Sequence, residues 1–113
     1  MLTIYHNPRC SKSRSTLQLI QENNQEVEII EYLNQIPTKE DLRKILKKLK
    51  MDPAEIVRKG EAVYKENFKG KEFSNEEWLE ILVDNPKLIE RPIVVKGDKA
   101  VLGRPPENVK DLF

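Results

Sequence analysis

What this chain of 113 residues lacks sets the first bounds on it. It has one cysteine, so no internal disulfide can form, and with a single histidine beside it the usual structural zinc patterns are excluded. No apolar run approaches the ~18 residues of a membrane span, and Met1 leads straight into strand-like sequence with no signal-peptide profile. An excess of one charge is missing too: 20 basic residues against 19 acidic ones leave a weak long-range field and no general nucleic-acid surface. No internal repeat or low-complexity segment is present. A soluble, cytoplasmic monomer is expected, binding neither membrane nor nucleic acid, in a compartment that keeps its cysteine reduced. With 38% hydrophobic residues, the chain has enough apolar material for a core without disulfides or metal.

What is there gathers in one stretch. Tyr5-His6-Asn7-Pro8-Arg9-Cys10-Ser11-Lys12-Ser13-Arg14 holds both the cysteine and the histidine. Leu2-Thr3-Ile4-Tyr5 predicts a short strand and Ser13 to Gln21 a helix with Leu17 and Ile20 inward, so Cys10 falls at a strand-to-helix turn. Pro8 keeps the two elements apart, because it has no N–H donor and biases Asn7 away from helical angles. The first N–H groups of a helix lack intrahelical acceptors, and the helix dipole adds positive charge there. A thiolate or a bound oxyanion is stabilised at that end, and Arg9, Lys12 and Arg14 add cations. A lone cysteine has an equally simple alternative as a small buried hydrophobe.

Val27 to Leu33 reads as a second strand, completing a βαβ unit with parallel strands. Thr38-x-x-Asp41 opens a helix with Leu42, Ile45, Leu46 and Leu49 on one face; Lys47, Lys48 and Lys50 lack interleaved aromatics and read as its solvated side. Asp52-Pro53-Ala54-Glu55 starts a further helix that runs through Ile56 and Val57 to Gly60, with Arg58 near its end suited to a surface ion pair. Tyr64, Phe68 and Phe73 anchor a weakly periodic segment, and Ser74-x-x-Glu77 opens a helix with Trp78 in the core. Gly97-Asp98, between Ile93-Val94-Val95-Lys96 and Lys99-Ala100-Val101-Leu102, predicts a hairpin, and a short final helix carries Val109, Leu112 and Phe113. The order is βαβ, a helical insertion over about 38–89, then ββα. It predicts one α/β domain spanning 1–113 with a four-stranded mixed sheet, and Arg91-Pro92, just ahead of a core strand, is a candidate cis bond.

Four segments, Ile4 to Arg14, Arg58-Lys59, Glu90-Arg91-Pro92-Ile93-Val94-Val95 and Gly103-Arg104-Pro105, together resemble the glutaredoxin-coupled, ArsC-like arsenate reductase family. The likeness runs in order over nearly the whole chain. It implies a thioredoxin-like fold with a helical insertion. It also implies that Cys10 attacks arsenate as a thiolate while Arg58, Arg91 and Arg104 hold the oxyanion. Glutathione would be the co-substrate and glutaredoxin would complete reduction to arsenite, with no bound cofactor or metal. His6 would lower the thiol pKa, relay a proton or hydrogen-bond locally, and Ser13 would cap the helix or donate to the anion. Pro92 would support the site, as would Arg14 unless it belongs merely to the exposed helix surface. The same fold family includes Spx-type regulators that bind RNA polymerase. Many of them carry C-x-x-C where this chain has Cys10-Ser11-Lys12-Ser13, so an internal disulfide switch is excluded while polymerase binding stays open. A glutathione-dependent thiol oxidoreductase without arsenate activity is a further alternative.

Overall fold

Leu2, Ile4 and His6 are buried and alternate with half-covered Thr3 and Tyr5, the pattern of a strand with one well-packed face. In the computed structural model, which describes all residues Met1–Phe113, they form β1 (Leu2–His6). Helix α1 (Ser11–Glu22) follows and returns the chain to β2 (Val27–Glu31), which runs parallel to β1 with His6 opposite Glu31. The hairpin strands β3 (Ile93–Lys96) and β4 (Lys99–Leu102) meet at Gly97, whose φ of 60° is open to glycine without steric cost. β3 is antiparallel to β1, pairing Ile93 with Tyr5, so the four strands lie in the order β2-β1-β3-β4. This is the mixed α/β sheet that the sequence predicts.

The end of β2 departs from the sequence-based expectation, and the short final helix is in place. β2 stops at Glu31 instead of running to Leu33, because the N–H groups of Asn34 and Gln35 both turn back to the Glu31 carbonyl at 2.9 Å. At the C-terminus a 3-10 segment, Pro106–Leu112, brings Val109 and Leu112 into the core with Leu2, Ile4, Ile20 and Val94. Residues three apart share a face in that geometry. Phe113, just past the segment, lies off that face and is 37% exposed.

The chain divides into two compact units, Met1–Gln35 with Arg91–Phe113, and Ile36–Glu90. The second contains α2 (Lys39–Leu49), α3 (Ala62–Asn67) and α4 (Asn75–Asp84). Both predicted capping boxes close: the Asp41 N–H donates to Thr38 Oγ1 at 3.1 Å, and the Glu77 N–H to Ser74 Oγ at 3.2 Å. α2 buries Leu42, Ile45, Leu46 and Leu49, and α4 buries Trp78, which meets Phe73 edge-on at 5.0 Å. The helix expected from Asp52 is only a 3-10 turn, Pro53–Ile56. It ends because Val57 turns extended and bridges Ile89, with the Glu90 N–H donating to the Ile56 carbonyl at 2.8 Å and the Arg58 N–H to the Leu88 carbonyl at 2.7 Å. Pairing with the neighbouring segment satisfies backbone groups that another helical turn would otherwise have used. No helix is long and apolar enough to cross a membrane.

Candidate active site

Cys10 occupies the N-cap position of α1 with extended angles, φ −94° and ψ 123°, and its side chain is half-buried and free of any disulfide. The turn before it is tied by its own hydrogen bonds. The Asn7 side-chain oxygen accepts from the Arg9 N–H, and the Asn7 carbonyl accepts from the Cys10 N–H, both at 3.0 Å. Arg14 crosses back from the helix and donates through Nη1 to the Pro8 carbonyl at 2.9 Å. A local sequence of polar side chains and one proline thus folds into a loop that leaves the sulfur at the helix start.

His6 and Ser13 lie beneath this loop. His6 Nδ1 and Ser13 Oγ are 2.6 Å apart, and the Asn7 N–H donates to the same Oγ at 3.1 Å. Ser13 is fully buried and does not cap the helix, since its hydroxyl is engaged by the end of β1. Of the roles open to His6, the geometry displays the local hydrogen bond. Burial lowers its pKa, as does the nearby Arg14, while Glu31 pulls the other way.

The antiparallel register explains how distant residues reach the sulfur. With Tyr5 opposite Ile93, the residues just before Ile93 lie beside those just after Tyr5, which places Arg91-Pro92 next to the Cys10 turn. Burial pushes the Cys10 thiol up, but the Ser13 N–H, the Arg91 guanidinium and the Lys12 N–H outweigh it and hold the thiol below its ordinary pKa. Arg91 also interacts with the hydroxyl of buried Tyr32. The Arg91-Pro92 bond is cis, as the sequence suggests; Arg104-Pro105 is cis as well, which the sequence reading does not anticipate.

Arg104 donates to the Arg91 carbonyl at 3.4 Å. The loop that carries it is fixed by Gly103, whose N–H donates to the Pro92 carbonyl at 2.8 Å and whose carbonyl accepts from the Thr16 hydroxyl at 2.9 Å. A Cβ at Gly103 would stand 2.8 Å from both the Pro92 ring and the Thr16 methyl, so the close approach requires glycine. Arg58 lies in the second unit, where its guanidinium meets Glu90 at 3.3 Å and Glu61 at 3.5 Å. Of the predicted site residues, then, Cys10, Arg91, Pro92, Arg104, His6, Ser13 and Arg14 gather around one end of the sheet in the first unit. Thr16 and Tyr32 join them without having been singled out from the sequence. The available signal was modest: Thr16 is on the inward face of α1, one turn before Ile20, and Tyr32, an aromatic ring with a polar tip, directly follows β2. No three or more His, Cys, Asp or Glu side chains gather as a metal ion would need.

Residues 5–112 match the ArsC family. The chain is 50% identical over 111 residues to a protein of Escherichia coli K12 called "Uncharacterized protein YfgD", covering 96% of this chain and 93% of that one. It is 40% identical to an arsenate reductase of Haemophilus influenzae, with 97% of each chain covered. The solved structure of the arsenate reductase from Vibrio cholerae superposes with a TM-score of 0.94 at 38% identity, covering 99% of this chain and 97% of that one. By sequence and by its thioredoxin-like architecture, the chain belongs to the ArsC family.

Proposed function

We propose that this chain is an arsenate reductase, using glutathione and glutaredoxin in the cytoplasm. The observation that carries the proposal is the half-exposed Cys10 thiol at the uncapped start of α1, facing Arg91, with the Ser13 and Lys12 N–H groups favouring its thiolate. The names of the Haemophilus and Vibrio relatives supply the substrate.

In the proposed sequence the Cys10 thiolate attacks arsenic, an S–As bond forms and one arsenate oxygen departs as water. Glutathione replaces a second oxygen in the same way. A glutaredoxin thiolate then attacks the glutathione sulfur, and the electron pair of the broken S–As bond stays on arsenic, taking it from arsenic(V) to arsenic(III). Hydrolysis releases arsenite and returns the Cys10 thiol, leaving a mixed disulfide of glutathione and glutaredoxin. An anion attacking an anion needs charge neutralisation and fixed geometry, the work assigned to Arg91 and Arg104. Arg58 is assigned to the oxyanion on family resemblance alone. His6 and Ser13 hold the Asn7 to Cys10 loop in place from below.

Arsenite production from arsenate, glutathione and glutaredoxin is the test. Wild-type protein should turn over, Cys10→Ser should not, and Arg91→Ala should lose about 10²–10³ in kcat/KM, the usual effect of removing an oxyanion donor. Wild-type turnover no higher than that of Cys10→Ser would overturn the assignment.

A further inference from the structure

A cavity of about 330 Å³ opens beside the Cys10 loop and is not used by any step proposed above. It sits where the parallel pair ends: His6 closes β1, Glu31 closes β2 opposite it, and Arg9 and Asn34 come from the two loops that follow. The carboxyl ends of parallel strands are where α/β folds commonly bind ligands. Its size lies at the lower end of the ~300–1,000 Å³ range of small-molecule sites, enough for one end of a short peptide and too small for a protein partner.

The charges on its walls select among small molecules. Arg9 brings a guanidinium and Glu31 a carboxylate; both are exposed, and neither takes part in the ion pairs that occupy Arg43 and Arg58. His6, the remaining titratable group on the wall, is kept towards its neutral form by burial. The cavity is therefore dipolar with little net charge, a poor host for arsenate and a good one for a zwitterion. Its frame is set before anything binds. Asn7 Oδ1 holds the Arg9 N–H at 3.0 Å, and the Glu31 carbonyl holds the Asn34 N–H at 2.9 Å. Arg9 immediately precedes Cys10 in sequence, so one wall of the cavity is built from the loop that carries the sulfur.

We infer that this cavity binds the free α-amino acid end of the thiol co-substrate, the γ-glutamyl end of glutathione. Glu31 takes the ammonium, Arg9 takes the carboxylate, and the side-chain amide of Asn34 gives the carboxylate a second donor. The inference rests on the glutathione-dependent function proposed above.

S-methylglutathione cannot react, so its binding can be followed by backbone amide NMR whether or not the protein reduces arsenate. It should shift the Arg9, Glu31 and Asn34 amides, and Arg9→Ala and Glu31→Gln should each weaken binding about 10-fold, as loss of a charge-assisted hydrogen bond does. Arg9→Lys, which keeps the charge, should recover part of that loss. Cysteinylglycine, which lacks the γ-glutamyl end, should leave these amides unmoved. In turnover, Arg9→Ala and Glu31→Gln should raise KM for glutathione and leave KM for arsenate in place. Equal affinity for cysteinylglycine, shifts confined to the Pro92 and Gly103 loops, or unchanged binding in both variants would overturn the inference. The two proposals separate cleanly. Binding at these amides in a protein that makes no arsenite supports the cavity and removes the reductase; arsenite formation with unaltered KM for glutathione in both variants removes the cavity alone.

Discussion

Helices α2 and α4 begin with reciprocal side-chain caps, Thr38 with Asp41 and Ser74 with Glu77, and each has acidic residues in its first turn. α1 begins with a cysteine, no capping hydrogen bond and no acid in its first turn. The first two helices satisfy their orphan N–H groups locally and complement their own dipoles. The third leaves those groups free to act on a thiolate or an oxyanion, and it is anchored by tertiary contact instead, through the Thr16 hydroxyl on the Gly103 carbonyl. The two reciprocally capped starts lie in the unit Ile36–Glu90, where the short α3 also begins without a side-chain cap, and the start that carries the cysteine lies in the unit that holds the sheet.

Breaking the tertiary anchor should cost most. Gly103→Ala forces a methyl into the space of Pro92 and Thr16, and the loss should be about 2–3 kcal/mol, seen as a lower urea midpoint with little change in m. Removing the local caps should cost less. Thr38→Ala and Ser74→Ala should each lower stability by about 1 kcal/mol while arsenite production is preserved. Cys10→Ser sharpens the contrast by reversing it. A hydroxyl at an N-cap with extended angles should stabilise α1 by about 0.5–1 kcal/mol in the same melt, in a protein that no longer turns over.

The smallest effect belongs to His6. Its pKa is lower folded than unfolded, so the unfolded chain takes up the proton first. The stability it contributes is complete above the ordinary imidazole value of about 6.5 and is lost as pH falls through the lower folded value. Urea midpoints at a series of pH values below neutrality should decline in the wild type more steeply than in His6→Gln. Equal slopes would remove this account of the histidine.

The features that were legible in the sequence are those written in neighbouring residues. Thr38 with Asp41, Ser74 with Glu77 and the Gly97-Asp98 turn each need only a few adjacent positions, and all three are in place. Cys10 at a strand-to-helix turn is of the same kind. The approach of Arg91 to Cys10 is not, because it depends on the β1–β3 register, which spacing does not encode; family resemblance, not periodicity, pointed to it. The Asp52 signal marks a true start, but the helix ends at Ile56 instead of running to Gly60, because the bridge from Val57 to Ile89 outweighs local propensity. Thr16 carries little sequence signal of its tertiary role, because a threonine in a helix interior usually bonds its own backbone. Here it does that, to Lys12, and reaches Gly103 as well.

The crowding among Thr16, Pro92 and Gly103 has an evolutionary corollary. Three positions from three separate segments share one fixed volume, so none can enlarge unless another shrinks. Among descendants of this sequence they should drift as a set, and a lineage that alters one alone should be rare.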